Sequence, residues 1–300
     1  MKLCLVGCGR WGKSYLKTIK KIPSISINWI VLRKSLPEIE GNYNFVYDLD
    51  KLLKEEKIDG VVIVTPPETH FELAKICIKH RTPILIEKPF TQSYKESRLL
   101  SEELNKHKLI CMVGYQHLFS KKHQLLKKQT LNIGKIKNVH SIAISDGPFR
   151  ENISVIRDWG SHEVAVAIDL FEDLPKTFKI RKIYKNFTNY HKGLYSLQMN
   201  FSDKRQFNSI FGNQSKIKKK QLIVEYDDGL VFQDNLNQSG NVIISNNKLV
   251  DIEEIKKTYS LPLESSLKTF QKKVKNNSYF TNIELSLNVN KVLDQLESKI

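Results

Sequence analysis

Short runs of Val, Ile and Leu alternate with helical periodicity through the first third of the chain. Apolar runs at residues 2–6, 25–32, 44–46, 60–64, 84–86 and 109–113 predict strands, and the stretches 11–21, 48–56, 68–80 and 93–106 predict the helices between them. Several runs are continuous rather than alternating, Val61-Val62-Ile63-Val64 among them, as expected of strands covered on both faces. This order predicts the α/β class, with a doubly wound parallel sheet.

Beyond about Tyr115 the pattern changes. A helix at 120–129 leads into a long alternating segment at 136–145, a loop at 146–157 and a helix at 159–172. Alternating stretches at 177–184, 195–201, 206–211, 221–226 and 230–233 follow, with Asp228-Gly229 as a hairpin turn, and helices at 263–275 and 283–299 close the chain. Strands in succession with helices at the ends predict an α+β domain carrying an open, mostly antiparallel sheet. At 300 residues the chain can fill two cores, and the change of pattern divides it into 1–118 and 119–300.

Composition narrows the classes. Hydrophobic residues are 40% and charged residues 27%, ordinary for a globular chain, and no apolar run reaches the ~18 residues of a membrane helix. The first apolar stretch is too short for a secretory leader and runs directly into glycines, so a cytoplasmic location is expected. An excess of 48 Lys+Arg over 32 Asp+Glu, +16 in all, could attract a polyanion. Yet only eight of the 48 are arginine, the lysines are scattered, and the one dense run is Lys216, Lys218, Lys219 and Lys220. That distribution reads as a solvated basic surface, and neither a nucleic-acid nor a membrane partner is expected. Cys4, Cys8, Cys77 and Cys111 fall in predicted strands, a helix face and a glycine turn without zinc spacing, so reduced thiols and no metal are expected.

Gly7-Cys8-Gly9-Arg10-Trp11-Gly12 follows a predicted strand and opens a predicted helix, the context in which G-x-G-x-x-G carries meaning. Gly7 permits the tight turn, Gly9 lets backbone approach a pyrophosphate, and Gly12 lets helix and strand pack, with the helix N-terminus supplying N–H groups. The reading is a dinucleotide-binding Rossmann domain, to which Arg10 and Trp11 contribute from within the loop. The ribose 2′ position is read about 20 residues on, where an acid would bond the 2′-hydroxyl of NAD and cations would neutralise the 2′-phosphate of NADP. Here stand Arg33, Lys34 and Ser35, so NADP is preferred over NAD.

Three further segments, in order, resemble one family. Val62-Ile63-Val64-Thr65-Pro66-Pro67-Glu68-Thr69-His70 is similar to the strand and turn beside the nicotinamide in Gfo/Idh/MocA oxidoreductases. Ile84-Leu85-Ile86-Glu87-Lys88-Pro89 resembles their Glu-Lys-Pro signature, and Asp158-Trp159-Gly160-Ser161-His162 their D-x-G-x-H motif. Pro262-Leu263-Glu264 through Phe270 is similar to the helix before their last one. The resemblance implies an N-terminal Rossmann domain, a C-terminal domain whose open sheet joins subunits into a homodimer or homotetramer, and reversible oxidation of a sugar or cyclitol alcohol with NAD(P). Asp158 through Val164 looks most like members acting on nucleotide-linked sugars. It also implies that Thr65, Pro66, His70, Glu87 and Lys88 join the cofactor set.

Moving a hydride from a secondary alcohol needs a base for the hydroxyl proton and a donor for the developing oxyanion. Lys88 follows a buried-type strand and would emerge at the carboxyl end of the sheet, where ligands bind, although a lone strand-end lysine reads equally as an exposed charge. Asp158 and His162, four apart at a helix start, lie on one face; by themselves they read as a cap and an ordinary helix histidine. Joined to the resemblance, Lys88, Asp158 and His162 are expected to be the catalytic unit, with His162 as base. Tyr115, Gln116 and Arg157 are expected to reach substrate, and Arg150 is an equal candidate for an anion clamp. His107, His123, His140 and His191 show no ligand spacing. The rival readings are a same-fold reductase of an imine or tetrapyrrole, and a dinucleotide-binding regulator without turnover.

Overall fold

The computed structural model describes residues 1–33, 39–183, 191–236, 241–245, 248–251 and 261–300. Two compact units result: Met1–Phe119 with Leu261–Asn290, and Ser120–Ser260 with Lys291–Ile300.

The first unit is a six-stranded parallel sheet. Its strands are β1 (Lys2–Val6), β2 (Ser26–Val31), β3 (Asn44–Val46), β4 (Gly60–Ile63), β5 (Ile84–Ile86) and β6 (Cys111–Val113), in the order β3-β2-β1-β4-β5-β6. Between them run α1 (Arg10–Ile19), α2 (Leu49–Glu55), α3 (His70–Lys79) and α4 (Tyr94–Lys106). All four residues of β4 and all three of β5 and β6 are buried, which explains their continuous apolar sequence. The order reverses direction between β1 and β4, and in such sheets that reversal opens a crevice at the carboxyl ends of the strands.

Residues 261–290 correct the expected division of the chain. Helix α7 (Pro262–Lys275) sends Leu263, Leu267 and Phe270 into the same core as Leu3, Leu5, Tyr15, Leu16 and Ile19. Gly60 makes room for this: a Cβ there would stand 3.0 Å from the Phe270 ring. Each such buried side chain contributes about 1.5–3 kcal/mol, enough to fix the helix on the sheet. Farther on, Asn282 Oδ1 accepts from Val113 N at 2.7 Å while Asn282 Nδ2 donates to Val113 O at 3.0 Å. One side-chain amide thus serves the end of β6 as a neighbouring strand would. Helix α8 (Ile283–Glu297) begins in this unit and ends in the other.

The second unit is an eight-stranded sheet whose strands run β7 (Ile136–Asp146), β8 (Thr177–Lys182), β9 (Leu194–Asn200), β10 (Gln206–Gly212), β11 (Gln214–Tyr226), β12 (Gly229–Asp234), β13 (Asn241–Ser245) and β14 (Lys248–Asp251). The order is β14-β13-β12-β11-β7-β10-β9-β8, and β10 with β7 is the parallel pair in an otherwise antiparallel set. One face is packed by α5 (Lys121–Ile133) and α6 (Ser161–Phe171); Val139, Phe207, Phe211, Met199 and Val224 point that way. The alternate residues Ile142, Ile144, Ile210 and Ile223 are half-buried or exposed on the other face. The pair β13 and β14 was not foreseen from the sequence, and the segment 177–184 ends as a strand at Lys182.

Candidate active site

In the first unit four successive strand ends carry the expected residues. At the end of β1, Gly7 has φ +89°, and a Cβ on it would strike Thr65 Cγ2 at 2.8 Å, so the turn tolerates only glycine. A Cβ on Gly12 would meet the Gly7 carbonyl oxygen at 2.6 Å. Gly9 is different: nothing lies within 4 Å of its Cβ position. Gly9 is also the N-cap of α1, makes no side-chain cap hydrogen bond, and the first turn holds no acid. The start of α1 therefore offers N–H donors and open space, a fit for a pyrophosphate.

At the end of β5, Glu87 turns inward. Tyr15 Oη donates to Glu87 Oε1 at 2.6 Å and Gln116 Nε2 donates to the same oxygen at 2.6 Å, while the Lys88 amide donates to Oε2 at 3.3 Å. The Trp11 indole N–H donates to it too. Burial pushes the Glu87 carboxyl up, opposed by Tyr15, Trp11 and Lys88. Gly114 at the end of β6 leaves space for this carboxylate, since a Cβ there would stand 3.0 Å from Oε1. The glycine helix, the Lys88 turn and the segment after β6 are thereby tied to one buried acid. Lys88 itself is half-buried, and its bond to Pro89 is cis.

Other expected cofactor residues divide. Thr65 is half-buried and Pro66 exposed at the end of β4, and Arg10 and Arg33 are exposed. Lys34 and Ser35 lie outside the described residues. His70 is fully buried, with Nδ1 2.9 Å from the Pro89 carbonyl oxygen and Nε2 2.9 Å from that of Thr65. Burial pushes its imidazole down, against the carbonyls of Thr65, Pro89 and Phe90. So His70 staples two turns rather than facing a ligand. Tyr115 is 0% exposed and packs inside, and Gln116 spends its amide on Glu87 and Tyr15.

In the second unit the D-x-G-x-H segment forms a π-helical turn, Ile156–Gly160, that runs into α6. Gly160 allows it to seat on the sheet: a Cβ would stand 3.1 Å from the Phe211 ring of β10. Asp158 is buried and accepts from Arg150 Nη1 at 3.0 Å. His162, half-buried, follows one turn along the helix. Beside it, Glu163 is 4% exposed; Ser209 Oγ donates to it at 2.6 Å and Ser141 also bonds it. Burial pushes the Glu163 carboxyl up, offset by Ser141, Ser209 and Lys220.

Arg157 overturns its expected role. Its Nη2 donates to Asp294 Oδ1 at 2.8 Å and its Nε to Glu297 Oε2 at 3.1 Å, and it is 8% exposed. It fastens the π-turn to the end of α8 and has no face for substrate. Sequence reading missed Tyr15, Glu163 and Asn213. Tyr15 had a signal, a phenol on the apolar side of the glycine helix; Asn213 had none. Among the described residues no group of three or more His, Cys, Asp or Glu could hold a metal, and no helix is long and apolar enough to cross a membrane.

Residues 1–115 match the model of the oxidoreductase family, NAD-binding Rossmann fold. A 131-residue stretch is 28% identical to 4-carboxy-2-hydroxymuconate-6-semialdehyde dehydrogenase of a Sphingobium species, covering 42% of each chain. The chain spans about half or less of the length of the curated relatives it matches. Among solved structures, a protein of Magnetospirillum magnetotacticum MS-1 assigned as an oxidoreductase shares the fold at TM-score 0.86 and 24% identity, over 98% of both chains. UDP-N-acetylglucosamine 3-dehydrogenase GnnA of Acidithiobacillus ferrooxidans does so at 0.83 and 18%, over 100% of this chain and 97% of that one. The first 115 residues, which carry the glycine cradle at the strand ends where a dinucleotide binds, thus match the Gfo/Idh/MocA model of NAD-binding oxidoreductases, and the solved structures share the fold of the whole chain.

Proposed function

We propose that the protein is an NADP-preferring dehydrogenase or reductase that acts on a secondary alcohol, or the matching ketone, of a sugar-type molecule. The observation that carries this reading is the open, uncapped start of α1 at Gly9, with the Lys88 turn two strands along the same sheet edge. A bound nicotinamide dinucleotide would supply the hydride acceptor or donor. Gly7, Gly9, Gly12 and the first N–H groups of α1 would hold its phosphates, Arg33 its distal ribose, and Thr65 and Pro66 its ring end.

The chain's own residues carry the proton. Lys88 donates to the reacting oxygen and steadies negative charge on it. His162 takes the hydroxyl proton in oxidation and returns it in reduction, its reference pKa of ~6.5 suiting exchange near neutrality. Asp158 orients the segment through Arg150 and lends His162 a nearby negative charge. The outward face of the second unit's sheet, with Ile210 41% exposed, supports assembly into a homodimer or homotetramer.

Screening sugars, cyclitols and their phosphate and nucleotide esters for a change in nicotinamide absorbance tests the activity. With a substrate in hand, Lys88→Ala is expected to lower kcat by about 10²–10⁴ while NADPH affinity stays within about twofold, and His162→Ala to flatten the pH dependence of kcat near neutrality. Turnover surviving Lys88→Ala overturns the role given to that residue. For the cofactor, Arg33→Asp is expected to cut the NADPH-to-NADH affinity ratio by about tenfold, read by fluorescence titration; an unchanged ratio removes the NADP preference.

A further inference from the structure

One end of the second unit's sheet gathers cations, of which Arg150 alone touches the segment proposed for proton transfer. Asn213, 2% exposed, ties two loops together: its Nδ2 donates to His191 O at 2.7 Å and to Pro148 O at 3.5 Å, and its Oδ1 accepts from Gly193 N at 3.1 Å. The residues that follow these carbonyls therefore start from neighbouring points. On one loop stand Phe149, 45% exposed, and Arg150; on the other stands Lys192, whose Nζ lies 4.5 Å from the centre of the Phe149 ring. Lys182, at the end of β8, packs against the same segment, with its Cε 3.2 Å from the Cβ position of Gly193 and its Nζ 6.0 Å from the Tyr195 ring centre.

The way these cations are held matters more than their number. Lys192 rests on an aromatic face, which fixes its position without using its three N–H donors. Arg150 is anchored by one Nη1 contact to buried Asp158, which leaves most of a five-donor fork on a side chain that is 46% exposed. Asp146 and Glu151 are the carboxylates on the same loop; both are exposed, and Asp158 is already paired with Arg150. A rigid fork beside a fixed point charge suits a tetrahedral anion that can be approached from several sides.

We propose that Arg150 and Lys192 form a seat for a phosphate ester carried by the substrate, next to the Asp158–His162 segment. This rests on the oxidoreductase reading for its place in a reaction, though not for the binding itself. The test is calorimetric titration of the full chain, with NADPH at saturation so that the glycine cradle is occupied. The probes are uridine diphosphate, glucose 1-phosphate, glucuronate and glucose. Both phosphate probes are expected to bind at least about tenfold more tightly than glucuronate or glucose, and the tighter of the two names the source of the phosphate. Arg150→Met and Lys192→Met should each remove about five- to tenfold of that affinity, with NADPH binding unchanged. Lys192→Met keeps the test decisive if Arg150→Met, by stranding Asp158, fails to fold. Equal affinity for phosphate and neutral probes, or phosphate binding indifferent to Lys192→Met, overturns the seat. Phosphate binding as expected without turnover of any alcohol would sink the oxidoreductase reading and leave the seat standing.

Discussion

Each unit buries a glutamate directly beside the side chain proposed to do chemistry: Glu87 before Lys88, Glu163 after His162. The two are held differently. Glu87 is gripped by donors that reach it from the glycine helix and from the segment after β6, with Tyr15 and Gln116 both on Oε1. Glu163 is held by two serine hydroxyls from the strands beneath its own helix, Ser209 on β10 and Ser141 on β7. Serine hydroxyls can donate or accept, whereas the Gln116 amide, the Trp11 indole and the Lys88 backbone N–H that reach Glu87 beside the Tyr15 hydroxyl can only donate. The first carboxylate is therefore needed as an acceptor by several parts of the fold at once; the second mainly pins α6 to the sheet.

That difference can be broken by substitution. Glu87→Ala should cost the most, about 3–5 kcal/mol, because it strands buried donors on three segments; chemical denaturation measures it, and a loss below about 1 kcal/mol would mean the donors find water. Tyr15→Phe removes one donor and keeps the ring. It should cost about 1–3 kcal/mol and lower kcat more than it raises the Kd for NADPH, and equal effects on both would reduce Tyr15 to a packing residue. The mildest change is Glu163→Gln. Because burial raises the Glu163 carboxyl above its ordinary 4.5, in the pH interval between the two values the folded chain holds a proton that the unfolded chain has released. Stability from this group is thus full at low pH and falls as pH rises from about 4.5 through the raised value. The Gln variant should gain Tm relative to wild type between pH 5 and pH 8, and a constant difference across that range would contradict the sign.

Local signals carried much of this architecture. Continuous apolar runs marked β1, β4 and β5, and the glycine spacing marked a turn whose geometry leaves Gly9 open. What stayed hidden depended on distant partners. Arg150 and Arg157 are equivalent letters in one loop, and only acids 137 and 140 residues downstream of Arg157 make it structural. The helix carrying Phe270 looks like any amphipathic C-terminal helix until Gly60, in the first unit's sheet, provides its berth. His70 has the right position for a ligand contact, but both of its nitrogens are occupied by backbone carbonyls. Strands β13 and β14 have too little alternation in a polar stretch to stand out.

The clasp of Asn282 on Val113 also bears on how the protein survives crowding. A parallel sheet ending in bare backbone invites another chain to add a strand, and that is how soluble proteins begin to aggregate. Here one border is stopped by a side chain that uses both polar groups of the last residue of β6, and the opposite border, β3, is only three residues long. Without the Asn282 amide, the β6 border would rest on the backbone bond from Cys111 N to Phe280 O at 3.2 Å, next to a Val113 left bare.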